Sequence, residues 1–450
     1  MSGRFAGERV VVVGAGVAGA SAARVLAAEG ASVRVSEARP VSKLSTVAAL
    51  REAGVEMLTG GHDPSHLKGA TLVVTSPGVP VRSPILTWAR ERRLPVWSEM
   101  ELGARLADAP YIAVTGTNGK TTTTGMIEAC LRAWGVDAVA CGNIGHPFPQ
   151  AAREEHDVLV VECSSFQLRM QRTFHPRVSV LLNLSHDHLD EHGSFDDYAD
   201  AKARIFARQV RDDTHVGNRD DPAAAARSSA AVCDVVWFRA GSPGEREVGF
   251  DGEVLVAHLT PEPERLGEVV GGAGFRADAA AAAAASLAFG ASPRAVRDGL
   301  RGFEPAPHRG QVAATVDGVR FVDDSKATNV HAALAAIDGV DDAVLVAGGT
   351  AKGVDLSPLA DRADRLRAVV AIGEASPELI RVFDGLLPVR VAASIEEAVR
   401  AAFDLARPDG TVLLAPACAS WDQFRDYAER GDRFAVAARG LQQEVGAGGR

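Results

Sequence analysis

Aliphatic and β-branched runs alternate with helical patterns along almost the whole chain. Val10–Val13, Ser32–Val35, Leu72–Thr75, Ile112–Thr115, Val158–Val161, Val178–Leu182, Val319–Val322, Val344–Ala347, Val369–Ile372 and Val412–Leu414 read as strands. Several of these runs are continuously apolar rather than alternating, the pattern of strands covered on both faces of a parallel sheet. Helical periodicity between them predicts βαβ units. The stretch from Val232 to Val270 reads differently, as short strands and turns forming an antiparallel edge. Asp278 to Gly290, "DAAAAAAASLAFG", reads as a tightly packed helix, because alanine is the strongest helix former.

The alternation restarts twice. One fresh strand, turn and helix begins at Tyr111, after "ARLADAP", and the prolines of "FEPAPH" (Phe303–His308) interrupt the pattern again. A chain of 450 residues exceeds one ordinary core, so the expected architecture is α/β in three domains.

Composition narrows the function classes. Apolar residues make up 46% and charged residues 24%, a soluble globular balance. The net charge of −10 comes without a basic stripe, which argues against nucleic acid as the partner. Five scattered cysteines form no C-x-x-C pair and fit a reducing cytoplasm. The N-terminal apolar run is too short for a signal peptide, and no run approaches the ~20 residues of a membrane span.

Candidate chemistry gathers behind the strands. "GTNGKTT", "ECSSFQL", "NLSHDHLDEH", "DDSKATN" and "GGTAKGVD" each follow one directly, and "PACASWDQF" follows Val412–Leu414 after a single alanine. Ligands of open α/β sheets sit at such carboxyl ends. In Gly116–Thr122, backbone N–H groups and the dipole of the following helix would hold phosphate oxygens, Lys120 would reach the terminal phosphates, and the Thr121 hydroxyl would fall on Mg²⁺. The G-K-T end is present, although Val114 stands where the general P-loop has its first glycine. Glu162 at a strand end is a carboxylate for Mg²⁺ or its water, or else a helix-starting or salt-bridged glutamate. "HDHLDEH" (His186–His192) lacks H-E-x-x-H spacing and reads as a solvated loop. Lys202, in the helical stretch "FDDYADAKARIFARQ", reads by default as a surface lysine. The earlier turn, Gly14-Ala15-Gly16-Val17-Ala18-Gly19, is a full G-x-G-x-x-G, with Glu37 at the end of the next strand where a ribose contact is expected. Alone, it fits NAD or the diphosphate of another nucleotide.

Taken together, "TGTNGKTT", "ECSSFQL", "NLSHDHLDEH", "DDSKATN", "GGTAKG" and "PACASWDQFRDYAERGDRF" resemble the Mur ligases of peptidoglycan synthesis. The resemblance covers nearly the whole chain in order. "DDSKATN" and "PACAS-x-DQF" place it with the D-glutamate-adding branch. The resemblance implies an N-terminal Rossmann-like domain for the UDP substrate (1–107), a central P-loop ATPase-like parallel-sheet domain for ATP (108–304), and a C-terminal Rossmann-like α/β domain for the amino acid (305–450). It implies ATP-dependent ligation of D-glutamate to UDP-N-acetylmuramoyl-L-alanine through an acyl phosphate, by a cytoplasmic monomer with no nucleic-acid or membrane partner.

Carried over by position, Gly116, Thr117, Asn118, Gly119, Lys120, Thr121 and Thr122 would bind ATP, with Arg309, Asp324 and Lys326 from the last domain. Gly14 to Gly19, Glu37, Ala38, Arg39, Ser76, Pro77 and Gly78 would hold the UDP substrate, with Asn143, Ser164 and Gln167. Thr121 and Glu162 would hold one Mg²⁺ and His188 a second. Lys202 matches a lysine that reacts with CO₂ to give a carbamate ligand. Lys120, Glu162, His188, Lys202 and Asn143 form the implied catalytic group. His308 accompanies Arg309 in "PHRG". Thr328, Lys352, Ser420 and Tyr427 would cradle D-glutamate, the lysine matching its side-chain carboxylate. Three departures stand out: Asp278 replaces an asparagine associated with adenine, Thr350 and Ala351 replace an aspartate and a glycine, and "PHRG" lacks a following glutamate. A hydride-transferring enzyme built on the first turn would leave the second phosphate turn unexplained. A non-catalytic nucleotide-binding regulator would not need Lys120, Glu162, His188 and Lys202 together. A folate or other Mur ligase would differ from this chain at "DDSKATN".

Overall fold

The computed structural model describes residues 3–448 apart from 188, 352 and 354, and for 189, 190 and 444–448 it describes the backbone alone. The strands form three sheets. The first contains β1 (Arg9–Val13), β2 (Ser32–Glu37), β3 (Glu56–Thr59), β4 (Leu72–Thr75) and β5 (Val96–Ser98), in the order β3-β2-β1-β4-β5 with every pair parallel. The order reverses between β1 and β4, which opens a crevice at their carboxyl ends.

The second sheet contains β6 (Tyr111–Thr115), β7 (Ala138–Gly142), β8 (Val158–Glu162), β9 (Val178–Leu181), β10 (Thr214–Asn218), β11 (Asp234–Phe238), β12 (Glu247–Asp251), β13 (Val254–Ala257) and β14 (Glu264–Glu268). Its order is β14-β13-β12-β11-β10-β9-β6-β8-β7. The expected antiparallel edge is present as β12-β13-β14, whereas β11 and β12 still pair in parallel. The third sheet contains β15 (Gln311–Val316), β16 (Val319–Asp323), β17 (Ala343–Gly348), β18 (Leu366–Ile372), β19 (Val389–Ala392) and β20 (Thr411–Leu414), in the order β15-β16-β20-β17-β18-β19, antiparallel only at β15–β16.

All ten strands read from the sequence occur, within a few residues at their ends. Their valines and leucines are almost all buried, as strands covered on both faces require. The alanine-rich stretch lies in the helix Ala273–Phe289, where Ala279 through Ala285 are all fully buried.

The chain divides into two compact units, Met1–Val269 with Ala277–Phe303, and Val270–Arg276 with Glu304–Arg450. Within the first unit, the first and second sheets share one core through the helix Glu99–Leu106. Its Met100, Leu102 and Leu106 cluster with Tyr111, Phe148, Cys163 and Leu168. Gly103 is glycine because a Cβ there would run into the Phe148 ring. Polar groups at the start of the same helix clasp the segment after β8. Ser98 Oγ donates to Gln167 O (3.2 Å), and Gln167 Nε2 donates to Glu99 Oε1. Glu101 accepts from Arg172 N (2.6 Å), Thr173 N (2.9 Å), Thr173 Oγ1 (2.7 Å) and Arg105 Nε (2.8 Å).

Glu99 is buried, and its Oε2 has no hydrogen-bond partner among the described residues. Burial pushes its carboxyl up from 4.5 to about 7, against the opposing pull of Gln167 and the helix N–H groups. The unfolded chain releases this proton near 4.5 and the folded chain only near 7, so stability falls as pH rises through that window. The difference corresponds to about 3 kcal/mol. Glu99→Gln keeps the shape without the titration. Calorimetric unfolding at the two ends of the window should show the wild type losing stability with rising pH and the variant losing markedly less.

Candidate functional site

The turn after β6 is built to approach an anion. Gly119 holds φ +82° at the start of the helix Lys120–Ala133, a conformation other residues avoid. A Cβ there would collide with Asp278 Oδ1. The turn is braced from the end of β9: Thr117 N donates to Asn183 O (2.9 Å), Asn118 N to Asn183 Oδ1 (2.8 Å), and Asn183 Nδ2 to Asn118 O (3.2 Å). Thr117 Oγ1 lies 3.0 Å from the Tyr198 hydroxyl. Thr122 is buried in the first helical turn. The helix dipole and the N–H groups of Gly119, Lys120 and Thr121 thus belong to a fixed, preorganised loop.

Beside it, β8 pairs directly with β6 and delivers Glu162. The Glu162 carboxylate is buried and accepts from Thr121 Oγ1 through Oε2 (2.7 Å) and from Asn143 Nδ2 through Oε1 (2.9 Å). Asn143 N also donates to Glu162 O (2.9 Å). Thus Thr121, Glu162 and Asn143, distant in sequence, form one oxygen-rich constellation. It is neither a helix start nor a salt bridge. A hydroxyl in the first turn of the helix after β6 and a carboxylate at the end of β8 are hard oxygen donors of the kind Mg²⁺ prefers.

Lys202 corrects the default reading. It is buried, not a surface lysine, because its helix, Phe195–Ala203, packs against the phosphate turn. Its Nζ donates to Gly116 O (2.7 Å) and stands 4.7 Å from the centre of the Tyr198 ring. Lys120 Nζ donates to the same Gly116 O (3.0 Å) and to Thr117 O (2.8 Å). Desolvation, reinforced by the neighbouring Lys120 charge, holds the Lys202 amine well below its ordinary pKa. "HDHLDEH" is likewise not wholly a solvated loop. It ends in the short helix Leu189–His192, where His192 is buried and its Nε2 meets Ser165 Oγ at 3.0 Å. His188 lies outside the described residues, and no cluster of three metal-binding side chains occurs among the described ones. Ser164 caps the helix Ser165–Arg169 in a reciprocal box with Gln167, whose amide is the one held by Glu99.

The first glycine turn sits at the switch point of the first sheet. Gly14 has φ +93°, and a Cβ there would press on Val79 and Ser76 at the end of β4. Gly19 allows the helix Val17–Ala28 to pass close to the Gly14 carbonyl. Gly16 occupies the N-cap and Val17 is exposed. Ser76 is buried, Pro77 half-buried and Gly78 exposed along the same rim, and Ala18 lies in the first turn of the helix. Glu37 is already engaged: Oε2 accepts from Ala15 N (2.7 Å) and Oε1 from Arg39 N (2.9 Å) and Arg39 Nε (3.0 Å). Burial opposes its charge, but these hydrogen bonds prevail and hold its pKa at about 2. The carboxylate therefore shapes the turn and aims Arg39, while exposed Ala38 lies between them.

In the second unit, three adjacent strands, β16, β20 and β17, send out the remaining motifs. His308 Nδ1 meets Asp323 Oδ2 (2.7 Å), and Lys326 N donates to His308 O (3.2 Å). Lys326 Nζ lies 3.8 Å from the centre of the Tyr427 ring. Half-buried Asp324 stands near Arg309 and Asp323, its carboxyl pushed up to about 7 by desolvation first, with Arg309 pulling the other way. Thr328 follows Lys326 in a tight turn (N to Lys326 O, 2.8 Å), and buried Ser420 closes the loop after β20. Lys352 lies outside the described residues. Sequence reasoning missed Arg430. It is fully buried at the centre of these loops, and only its place inside the quoted "YAERGDRF" marked it.

Family models match along the chain: a Mur ligase MurD-like N-terminal domain over residues 8–98, a Mur ligase middle domain over 114–247, and a Mur ligase glutamate ligase domain over 308–418. The UDP-N-acetylmuramoylalanine–D-glutamate ligase of Syntrophotalea carbinolica is 37% identical, covering 97% of this chain and 99% of that protein. The one from Frankia casuarinae is 42% identical, covering 97% and 94%. Among solved structures, UDP-N-acetylmuramate–alanine ligase of Thermotoga maritima superposes with TM-score 0.62 at 18% identity, covering 96% of this chain and 99% of its own. MurF ligase of Thermotoga maritima in complex with ADP gives 0.61 at 18%, covering 92% and 95%. At these identities the structural likeness concerns the fold.

Gly119→Ala tests the phosphate turn. The variant should fold, with a modest loss of stability on the order of 1–2 kcal/mol from the left-handed backbone. It should lose measurable binding of a non-hydrolysable ATP analogue in titration calorimetry, since the added methyl must displace the Asp278 carboxylate or the turn itself.

Proposed function

This chain belongs to the Mur ligase family, and we propose that it joins D-glutamate to UDP-N-acetylmuramoyl-L-alanine with ATP as the activating reagent. The observation that carries the reading is the convergence of Thr121, Glu162, Asn143, Lys120 and Lys202 around one preorganised phosphate turn. Its substrate assignment rests on the full-length likeness to D-glutamate ligases of other bacteria.

A carboxylate does not react with an amine until one of its oxygens becomes a leaving group. In this reading the alanyl carboxylate attacks the terminal phosphorus of ATP, and the bond to ADP breaks. The amine of D-glutamate then attacks the acyl carbon, and phosphate departs with the C–O bond as the amine gives up a proton. The turn Gly116–Thr122 holds the phosphates, and Lys120 leaves its loop carbonyls to neutralise charge on the transferring group. A Mg²⁺ held by Thr121 and Glu162 would draw charge from the phosphate oxygens. Asn143 fixes the second carboxylate oxygen of Glu162 and so orients it. Gly14 to Gly19, Ser76 and the Glu37–Arg39 pair fit the UDP end, with Gln167 and Ser164 on the side of the second sheet. By position in the motifs, Arg309, Asp324 and Lys326 are assigned to ATP, and Thr328, Lys352, Ser420 and Tyr427 to D-glutamate.

Lys202 is proposed as a carbamate. A neutral amine attacks CO₂ and releases a proton, and the depressed pKa of this amine favours the neutral form more than at an exposed lysine. The product is an anionic oxygen donor beside Lys120, suited to a second metal ion.

Three measurements check these statements. Purified protein with ATP, Mg²⁺, the UDP-muramoyl-alanine substrate and D-glutamate should release phosphate. Equal release with L-glutamate, or without an amino acid, would overturn the assignment. Lys120→Ala should lose turnover by about a thousandfold or more, the scale of transition-state charge stabilisation, yet bind the UDP substrate normally. Native mass spectrometry in bicarbonate should find one added CO₂ that is lost on acidification. Its presence in Lys202→Ala would place the adduct elsewhere.

A further inference from the structure

Arg430 is the largest side chain among the fully buried ones, lying in the helix Tyr427–Gly448. A buried guanidinium ordinarily faces a carboxylate, because an unpaired charge is costly to desolvate. Here every hydrogen-bond partner is a neutral oxygen. Nε donates to Ser325 Oγ (3.0 Å), Nη2 to Ser325 O (2.9 Å), and Nη1 to Cys418 O (3.2 Å) and Gly348 O (3.4 Å). Burial pulls its pKa down to about 10, outweighing the carboxylates of Asp422 and Asp323, which act on it only through space.

The acceptors occupy one loop from each of three neighbouring strands: Ser325 after β16, Gly348 at the end of β17, and Cys418 after β20. The fork therefore fixes the loops carrying Thr328, Ser420 and the Gly348-Gly349 turn relative to one another. Neighbouring positions are shaped for this contact. Gly349 has φ +125°, and a Cβ there would run into Ala419 O. Gly431, next to Arg430, has no room for a Cβ against His308 Nδ1 and Asp323 Oδ2. Ser325 Oγ in turn donates to Tyr427 O (2.7 Å), which closes the network on the start of the same helix.

We infer that Arg430 is a positioning residue for the incoming amino acid: its fork sets the spacing of the three loops that carry the candidate contacts for it. The inference rests on the ligase reading above. A purely structural arginine would satisfy the same geometry but would bear on all substrates alike.

The test is steady-state kinetics with each substrate varied in turn, on Arg430→Lys and Ser325→Ala. Lysine keeps the charge but cannot span four acceptors, and the serine variant leaves the guanidinium in place while removing one of them. KM for D-glutamate should rise roughly tenfold or more in Arg430→Lys, the scale of a lost charged hydrogen bond, and by a smaller factor in Ser325→Ala. KM for ATP and for the UDP substrate should stay within about twofold in both, below the ~1 kcal/mol of an ordinary hydrogen bond. An unchanged KM for D-glutamate, a parallel rise in all three constants, or a fall in kcat alone would overturn the inference. Should Arg430→Lys lose its native circular dichroism, Ser325→Ala decides by the same criteria. Wild-type protein that releases no phosphate in response to D-glutamate marks instead the failure of the ligase reading, and the inference falls with it.

Discussion

Two lysine nitrogens share the carbonyl oxygen of Gly116, and much of the site follows from that contact. Burial of Lys202, and then repulsion from the Lys120 cation on the same oxygen, lower the pKa of the Lys202 amine. The shared oxygen exists because Gly116 ends a strand covered on both sides. Its turn is locked by Asn183 and Tyr198, so it cannot relax away from either amine. One lysine is thereby held on two carbonyls of the loop, and the amine of the other is shifted toward its neutral form.

The rest of the architecture keeps that turn in register with its surroundings. β6 and β8 are neighbours, so the phosphate turn and Glu162 arrive side by side without depending on any flexible loop. Ser98, Glu99 and Glu101 hold the segment after β8 from the other direction. The first two sheets therefore behave as one body, with a core running through both. In the second unit a single guanidinium does for three strand ends what hydrogen-bonded carboxylates do in the first.

The strands were legible where β-branched residues run unbroken, as in Val10–Val13 or Val158–Val161. They were not legible where a strand is short or carries polar residues, as in β3 (EMLT), β5 (VWS) and β10 (THVGN), whose place depends on tertiary pairing. The two glycine turns and Glu162 were visible because their chemistry needs particular residues at particular offsets. The burial of Lys202 was invisible from spacing, since it comes from a helix docking on a turn 86 residues away. That Glu37 also braces Ala15 and Arg39 was not legible, because those hydrogen bonds depend on how the turn folds back on β2. Arg430 went unread because an arginine on a charged helix normally points to water, and only the three-dimensional meeting of Ser325, Gly348 and Cys418 turns it inward.

The helix Ala273–Phe289 carries seven consecutive alanines with no exposed face. Such a segment resembles filler in sequence, yet its composition is a volume constraint. A methyl group fills each of these fully buried positions, so a larger side chain there would have to displace what already surrounds it. Drift toward valine or leucine, harmless on most helices, would wedge that packing apart. Because Asp278 leads directly into this run, any such widening would shift the carboxylate that abuts Gly119. The plainest stretch of the polypeptide therefore acts as a gauge for the geometry of the nucleotide turn.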